Sequence, residues 1–347
     1  MRVHVSLNEK VFFAQNLEVM LRAGLSLSVA VNTLAEQTTN RAFKNLLSMV
    51  KSDIEKGVSL SSALEKWPKV FSELFVNMVR AGEVSGKLEE ILRNITIQLK
   101  KEHDLKSKVK NAMAYPVVVL IVMVLISIAM LVYVVPRIAS IFVGLDAQLP
   151  LPTRMLIAIS NSMVKYGILG ILVAIVCIGI FTTSIKNKKG KRFWHGLFLR
   201  LPIFGSIIKQ INLARFTRVL GSLLKTDVPI TQSVQVSANT LGNALYQDAV
   251  NAFVPDLTKG TRMAVSMRKF PRIFPPLVTQ MVSVGEETGT LSQVLEELAI
   301  FYEEEVDNIM KRLPSIIEPL LMVVLGVGVG GMAISIILPM YKLTEAF

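Results

Sequence analysis

The chain has 347 residues, 52% of them hydrophobic and only 18% charged, with a mean hydropathy of +0.51; this excludes an ordinary soluble domain and points to a membrane. The net charge of +12 raises nucleic acid as a partner. No basic stripe interleaves with aromatics, however, and most Lys and Arg clusters flank apolar stretches, which favours contact with anionic membrane lipids over nucleic acid.

Met1–Lys10 lacks an apolar core, so no cleavable signal is expected. Phe13, Leu17 and Leu21 recur every four residues and predict a helix that Gly24 stops. Leu27, Val31 and Leu34 predict the next helix, and Phe43, Leu46, Leu47, Val50 and Ile54 a third that ends at Gly57. Ser59 is placed to N-cap a short helix ending at Trp67-Pro68, and Phe71–Arg80 makes another. After a glycine turn, Leu88–Lys110 reads as a long polar helix running toward the membrane. Val117–Val135 carries no charge and reaches about 20 residues, the length that crosses the hydrocarbon core. A linker around Gly144–Pro152 follows, then a second charge-free span, Tyr166–Ile185. The helical pattern then recurs, and a third span, Leu320–Met340, lies near the end.

The recurrence is a duplication. Shifting the sequence by 203 positions, without a gap, places Phe13 on Phe216, Leu17 on Leu220, Gly57 on Gly260, Pro116 on Pro319 and Pro136 on Pro339. Between Lys56 and Leu92, 13 of 37 positions are identical to their counterparts, where composition alone gives roughly two or three. So long a period is not a solenoid unit; it is a module of helical bundle plus apolar helix. Asp227 stands where the first repeat has Gly24, and Asp tolerates a left-handed cap less well, so that corner is expected to be built differently.

Lys106, Lys108 and Lys110 precede the first span, Lys186, Lys188, Lys189, Lys191 and Arg192 follow the second, and Lys311 and Arg312 precede the third. The positive-inside rule then puts both polar modules and the N-terminus in the cytoplasm and the C-terminus outside. The expected architecture is an all-α integral membrane protein with two duplicated cytoplasmic helical-bundle domains and three transmembrane helices. The boundaries read 1–112 for the first bundle, 113–136 for the first span, 137–163 for an external linker and 164–185 for the second span. The second bundle follows over 186–315, the third span over 316–341 and an external tail over 342–347.

Few motifs point to chemistry. Gly82-Glu83-Val84-Ser85-Gly86-Lys87 has three residues between its glycines where a phosphate loop needs four, Leu88 follows the Lys, and the second repeat has Thr290 in place of Lys87. The preferred reading is a helix–helix turn, repeated as Gly285-Glu286 and Gly289, in which the glycines permit tight dihedrals and Glu83 binds backbone amides. Gly326 and Gly330 lie inside the third span with no strand before them, which favours close helix packing over dinucleotide binding. His4, His103 and His195 stand far apart, and Cys177 is the only cysteine and reads as an apolar packer. Neither a catalytic constellation nor a cofactor or metal set is expected. Glu303, Glu304, Glu305 and Asp307 form an acidic patch, read mainly as a solvated face, with a basic partner or divalent cation as the alternative. At the matched positions the first repeat carries Lys100, Lys101 and Glu102, and this opposition suggests pairing between domains or between subunits.

Phe13-x3-Leu17-x3-Leu21-Arg22-Ala23-Gly24 with Leu27, the duplicated Gly-Glu-x-x-Gly-x-Leu turn, and Pro116 and Pro319 opening the repeated spans resemble one family. It is the inner-membrane platform protein of bacterial type II secretion and type IV pilus assembly systems. The resemblance covers nearly the whole chain and implies a homo-oligomeric scaffold, not an enzyme, that works beside a hexameric assembly ATPase, pilin or pseudopilin subunits and other inner-membrane assembly proteins. Many members carry a longer lead before the first helix, which points here to a short branch such as type IVb, conjugative or competence machinery. A transporter or channel is the alternative. Against it, the duplicated mass is polar and the spans hold no ionisable residue at their centres.

Overall fold

A computed structural model describes residues 5–143, 150–202, 204–226 and 228–345, and among these all regular structure is helical. The first repeat contains α1 (Leu7–Arg22), α2 (Leu27–Gln37), α3 (Arg41–Glu55), α4 (Leu60–Glu65), α5 (Glu73–Ser85) and α6 (Leu88–Ala129). A π-turn, Met130–Val134, leads into α7 (Val135–Val143), followed by α8 (Leu151–Lys186) and α9 (Lys188–Arg200). The second repeat contains α10 (Phe204–Lys225), α11 (Ile230–Thr240), α12 (Ala244–Thr258), α13 (Met263–Arg268), α14 (Pro276–Thr288) and α15 (Leu291–Glu345).

Local chemistry sets most of these boundaries. Ser6, Ser26, Asn40, Ser59 and Ser72 each accept a hydrogen bond from a backbone amide in the first turn of the helix they precede, covering a donor that the helix leaves unpaired. Gly57 and Gly86 end their helices with φ of +83° and +68°, and Gly260 and Gly289 repeat this at +81° and +73°. Asp227, the counterpart of Gly24, lies outside the described residues, as do Gly144 and Asp146 of the linker.

Two boundaries differ from expectation. α5 runs to Ser85 because its terminator is Gly86, so Gly82 is an interior helical residue and not part of the turn. α8 begins at Leu151, inside the segment expected as linker, since Pro152 in the first turn lacks only an amide that the helix would not have used.

The chain divides into two compact units, one of Met1–Ser107 with Arg192–Asp307 and one of Lys108–Lys191 with Asn308–Phe347. In the first, each repeat builds an aromatic core from matched residues. Phe13 packs on Phe71 at 5.6 Å between ring centroids, and their counterparts Phe216 and Phe274 lie 5.5 Å apart. Lys66 pairs with Asp53 at 2.7 Å and Lys269 with Asp256 at 2.6 Å, again at matched positions. The hydrogen bond from Lys269 holds the Asp256 carboxyl below the usual carboxylate range.

In the second unit, hydroxyls join the helices. Thr153 Oγ1 donates to the Ser335 carbonyl and Ser160 Oγ to the Leu131 carbonyl, both at 2.6 Å. Leu131 sits in the π-turn, and the Ser160 hydroxyl gives its carbonyl a side-chain hydrogen bond of a kind that lipid cannot supply. Among the described residues, α6 and α15 are long and apolar enough to cross a membrane. Val118, Leu125, Met322 and Val327 on these helices are exposed, as a face made for lipid requires. The protein is an all-α membrane protein with a duplicated helical bundle.

Candidate functional site at the contact between the repeats

The Gly-Glu turn is a bracket between helices. Glu83, near the end of α5, accepts from the backbone amides of Leu60 and Ser61 and from the Ser61 hydroxyl, at the start of α4. Glu286 does the same for Met263 and Ala264 at the start of α13. A carboxylate at a helix N-terminus satisfies orphan donors and sits favourably in the helix dipole. α4 also has Ser59 as a side-chain cap, whereas Arg262 gives α13 none, so Glu286 carries that end without help from the N-cap side chain.

Gly82 and Gly285 serve packing. A Cβ on Gly82 would stand 3.0 Å from Ile91 Cβ and 3.1 Å from Leu88 Cα, and one on Gly285 would stand 3.0 Å from Leu291 Cα. These glycines therefore let the next helix fold back against α5 or α14. Lys87 lines an open pocket with Gly24, Leu25, Glu89 and Glu90.

The repeats meet through α5 and α6 of the first and α10, α11 and α15 of the second. Val219, Leu223, Val228 and Val236 of the second repeat are buried in the core of the first. Polar bonds fix the register: Ser222 Oγ donates to Gln98 Oε1 at 3.4 Å, Gln232 Nε2 to Asn77 Oδ1 at 3.1 Å, and Asn239 Nδ2 to Glu73 Oε2 at 2.7 Å. Glu303 accepts from Lys101 Nζ at 3.0 Å and from Arg218 Nε at 2.8 Å. An ion pair as exposed as Lys101–Glu303 contributes only about 0–1 kcal/mol, against roughly 1.5–3 kcal/mol for each fully buried Val or Leu side chain. The valines and leucine hold the contact, and the charges set its alignment.

A groove of about 190 Å³ remains beside it, lined by Glu73, Gln98, Lys101, Arg215, Arg218 and Glu303 among others. Glu102 also reaches it, and nearby Lys10 is held below the ordinary ammonium range by burial, with Lys106 adding to the effect and Glu102 opposing it. Sequence reasoning missed Asn77, Gln98, Arg218 and Gln232. Their partners lie far along the chain, and the only available signal was that the repeats differ at these positions.

The acidic patch does not act as one group. Glu303 is drawn into the contact, Glu304 is exposed, and Glu305 and Asp307 are half-buried. Among the described residues no cluster of His, Cys, Asp or Glu is arranged to hold a metal. Pro116 lies inside α6 and Pro319 inside α15. A Cβ on Gly326 or Gly330 would meet nothing within 4 Å, so whatever covers those positions comes from outside the described residues.

Comparison with known families decides what this duplicated bundle belongs to. The model of the family "Type II secretion system (T2SS), protein F" matches residues 13–136 and again 216–339. The chain belongs to that family. Both matched segments start at the paired phenylalanines and end at the paired prolines, Pro136 and Pro339, so the protein F module is the repeat unit itself. The type IV pilus assembly protein PilC of Myxococcus xanthus is 38% identical over 336 residues, covering 96% of this chain and 80% of the relative. PilC of Thermus thermophilus is 38% identical over 337 residues, covering 97% and 83%. The type II secretion system protein F of Aeromonas hydrophila is 31% identical over 343 residues, covering 98% and 87%.

Proposed function

We propose that this protein F relative is the inner-membrane platform of a type IV pilus or type II secretion machine. On this reading it couples a cytoplasmic hexameric ATPase to the insertion or removal of pilin or pseudopilin subunits. The observation that carries the reading is the family match falling on both repeats, with relatives over nearly the full chain named for pilus assembly and for type II secretion. The duplicated bundle offers the motor a cytoplasmic surface. α6 and α15 suit transmission, because each is one helix with residues in both compact units. The work is mechanical: motion received by the bundle passes along the polar helical stretches Leu88–Lys110 and Gln293–Arg312 into the spans that follow them.

The lysine asymmetry supports a cytoplasmic N-terminus, bundles over 1–112 and 186–315 on the cytoplasmic side, and an external C-terminus. Reporter fusions near Arg41 and after Asn187 should read cytoplasmic and one near Asp146 external; an external signal from Arg41 would overturn the topology. Purification in mild detergent from cells actively assembling pili or secreting should recover the assembly ATPase and a pilin or pseudopilin. Recovery of the intact protein with neither, after cross-linking in the living cell, would overturn the platform reading.

A further inference from the structure

α9 is a basic, aromatic helix that enters the second bundle directly from an apolar stretch. One residue, Asn187, separates the end of α8 at Lys186 from the start of α9 at Lys188. Chain connection alone therefore holds α9 at the rim of the span read over Tyr166–Ile185. Lys186, Lys188, Lys189, Lys191, Arg192 and Arg200 gather positive charge here, and no Asp or Glu occurs between Asp146 and Asp227. Phe193 and Leu197, four residues apart and so on one helical face, are 66% and 40% exposed. Leu201 and Phe204, just past the helix, are exposed as well.

Another side of α9 is committed to the second bundle. Leu199 packs against the core of the second repeat. His195 Nδ1 accepts from the Ala244 amide at the start of α12, at 2.9 Å, and Arg192 Nε donates to Asp248 Oδ2 in the same helix at 2.6 Å. The helix is thus fastened to α12 while Phe193 and Leu197 point away from the bundle. A bundle core would bury these two side chains, and water gives them no reason to gather among cations. The headgroup layer of an anionic bilayer suits both, taking apolar side chains into its acyl boundary and Lys and Arg onto its phosphates. We infer that α9 lies in that layer, with Phe193 and Leu197 inserted, and so seats the second repeat on the membrane surface. The inference rests on Tyr166–Ile185 crossing the membrane and not on which machine the protein serves.

The test uses the full-length protein in nanodiscs of phosphatidylcholine, alone or mixed with phosphatidylglycerol. A nitroxide on the native Cys177, the only cysteine, should collide with oxygen and not with an aqueous nickel chelate, which checks the span. In a Cys177→Ala background, the label at Phe193→Cys or Leu197→Cys should give the same lipid signature at a shallower depth, roughly 5–10 Å into the headgroup and acyl boundary. Without phosphatidylglycerol it should move toward water. In the mixed bilayer, Arg200→Gln should lower the ratio of lipid-facing to water-facing label at Leu197→Cys about fivefold, the effect of one charge near an anionic surface, and Arg200→Lys should leave it unchanged. Water contact at both α9 positions while Cys177 stays in lipid would overturn the inference and spare the span. A label shielded from both oxygen and the chelate would place protein over this face and overturn it equally. Water contact at Cys177 would overturn the span and the inference together. Equal depth in the two bilayers would overturn the assignment of an anionic surface.

Discussion

Glu83 and Glu286 stand 203 residues apart in sequence and perform the same act, each laying its carboxylate across the first backbone amides of the short helix that precedes it in its own repeat. Ser61 N lies 3.1 Å from Glu83 Oε2, and Ala264 N lies 3.0 Å from Glu286 Oε2.

The two are unequal in consequence. Glu286→Ala removes the acceptor of Met263 and Ala264 where Arg262 offers no side-chain cap, and should cost about 2–3 kcal/mol locally. Glu83→Ala should cost less, because Ser59 still caps α4. Hydrogen exchange on the protein in lipid nanodiscs should show protection lost over residues 263–268 more than over 60–65 in the corresponding variants. Equal losses would contradict the capping argument.

Gly82→Ala should destabilise although Ala is the better helix former, because its Cβ meets Ile91 and Leu88 at about 3 Å; an overpacked core contact costs roughly 1–3 kcal/mol. Gly86→Ala faces open space and carries only the left-handed backbone penalty, about 1–2 kcal/mol. Lys87→Ala should be silent in thermal unfolding and in pilus or secretion activity, since the second repeat holds Thr290 there. Tight ATP binding by the purified protein that Lys87→Ala abolishes would restore the phosphate-loop reading.

Tyr246 is buried with its hydroxyl lacking a hydrogen-bond partner among the described residues. Burial, with neighbouring Tyr302 adding to it, pushes its pKa far above the ordinary tyrosine value. Burial and then Glu305 push Tyr302 up to about 12. An unfolded tyrosine loses its proton near pH 10, so the folded state binds more protons than the unfolded one between about pH 10 and 12, and stability falls with rising pH in that window. The first repeat has Phe43 and Leu99 at these positions and lacks this tyrosine term. Tyr246→Phe should raise stability by about 1 kcal/mol at neutral pH and blunt the alkaline loss. Unfolding followed by Trp194 fluorescence in a Trp67→Phe background measures both; lower stability in Tyr246→Phe would mean that the hydroxyl has a partner.

Gly326→Leu with Gly330→Leu should leave membrane insertion and the helical bundle unchanged, because leucine suits lipid and no described atom stands near either glycine. It should weaken association of α15 with another helix by holding the backbones apart. In-cell cross-linking through the span and pilus or secretion assays read this; full activity with undiminished cross-links would show that these glycines face lipid.

Much of the architecture was legible without coordinates because its signals are local. The four-residue spacing of Phe13, Leu17 and Leu21, the serine caps, the terminating glycines and the charge-free spans each act within a few residues, where side-chain chemistry directly dictates backbone conformation. The duplication was visible too, since a gapless shift needs only identities. The sequence could point to Glu83 as a binder of backbone amides but not to which amides, because Leu60 and Ser61 belong to another helix. Gly82 read as a turn residue, and only the packed Ile91 reveals it as a point of close approach. The joining of the repeats was least legible of all. Gln98 meets Ser222, and Lys101 meets Glu303, across more than a hundred residues of chain. Those pairings depend on which helical faces burial brings together, a property of the whole packed bundle that no local pattern contains.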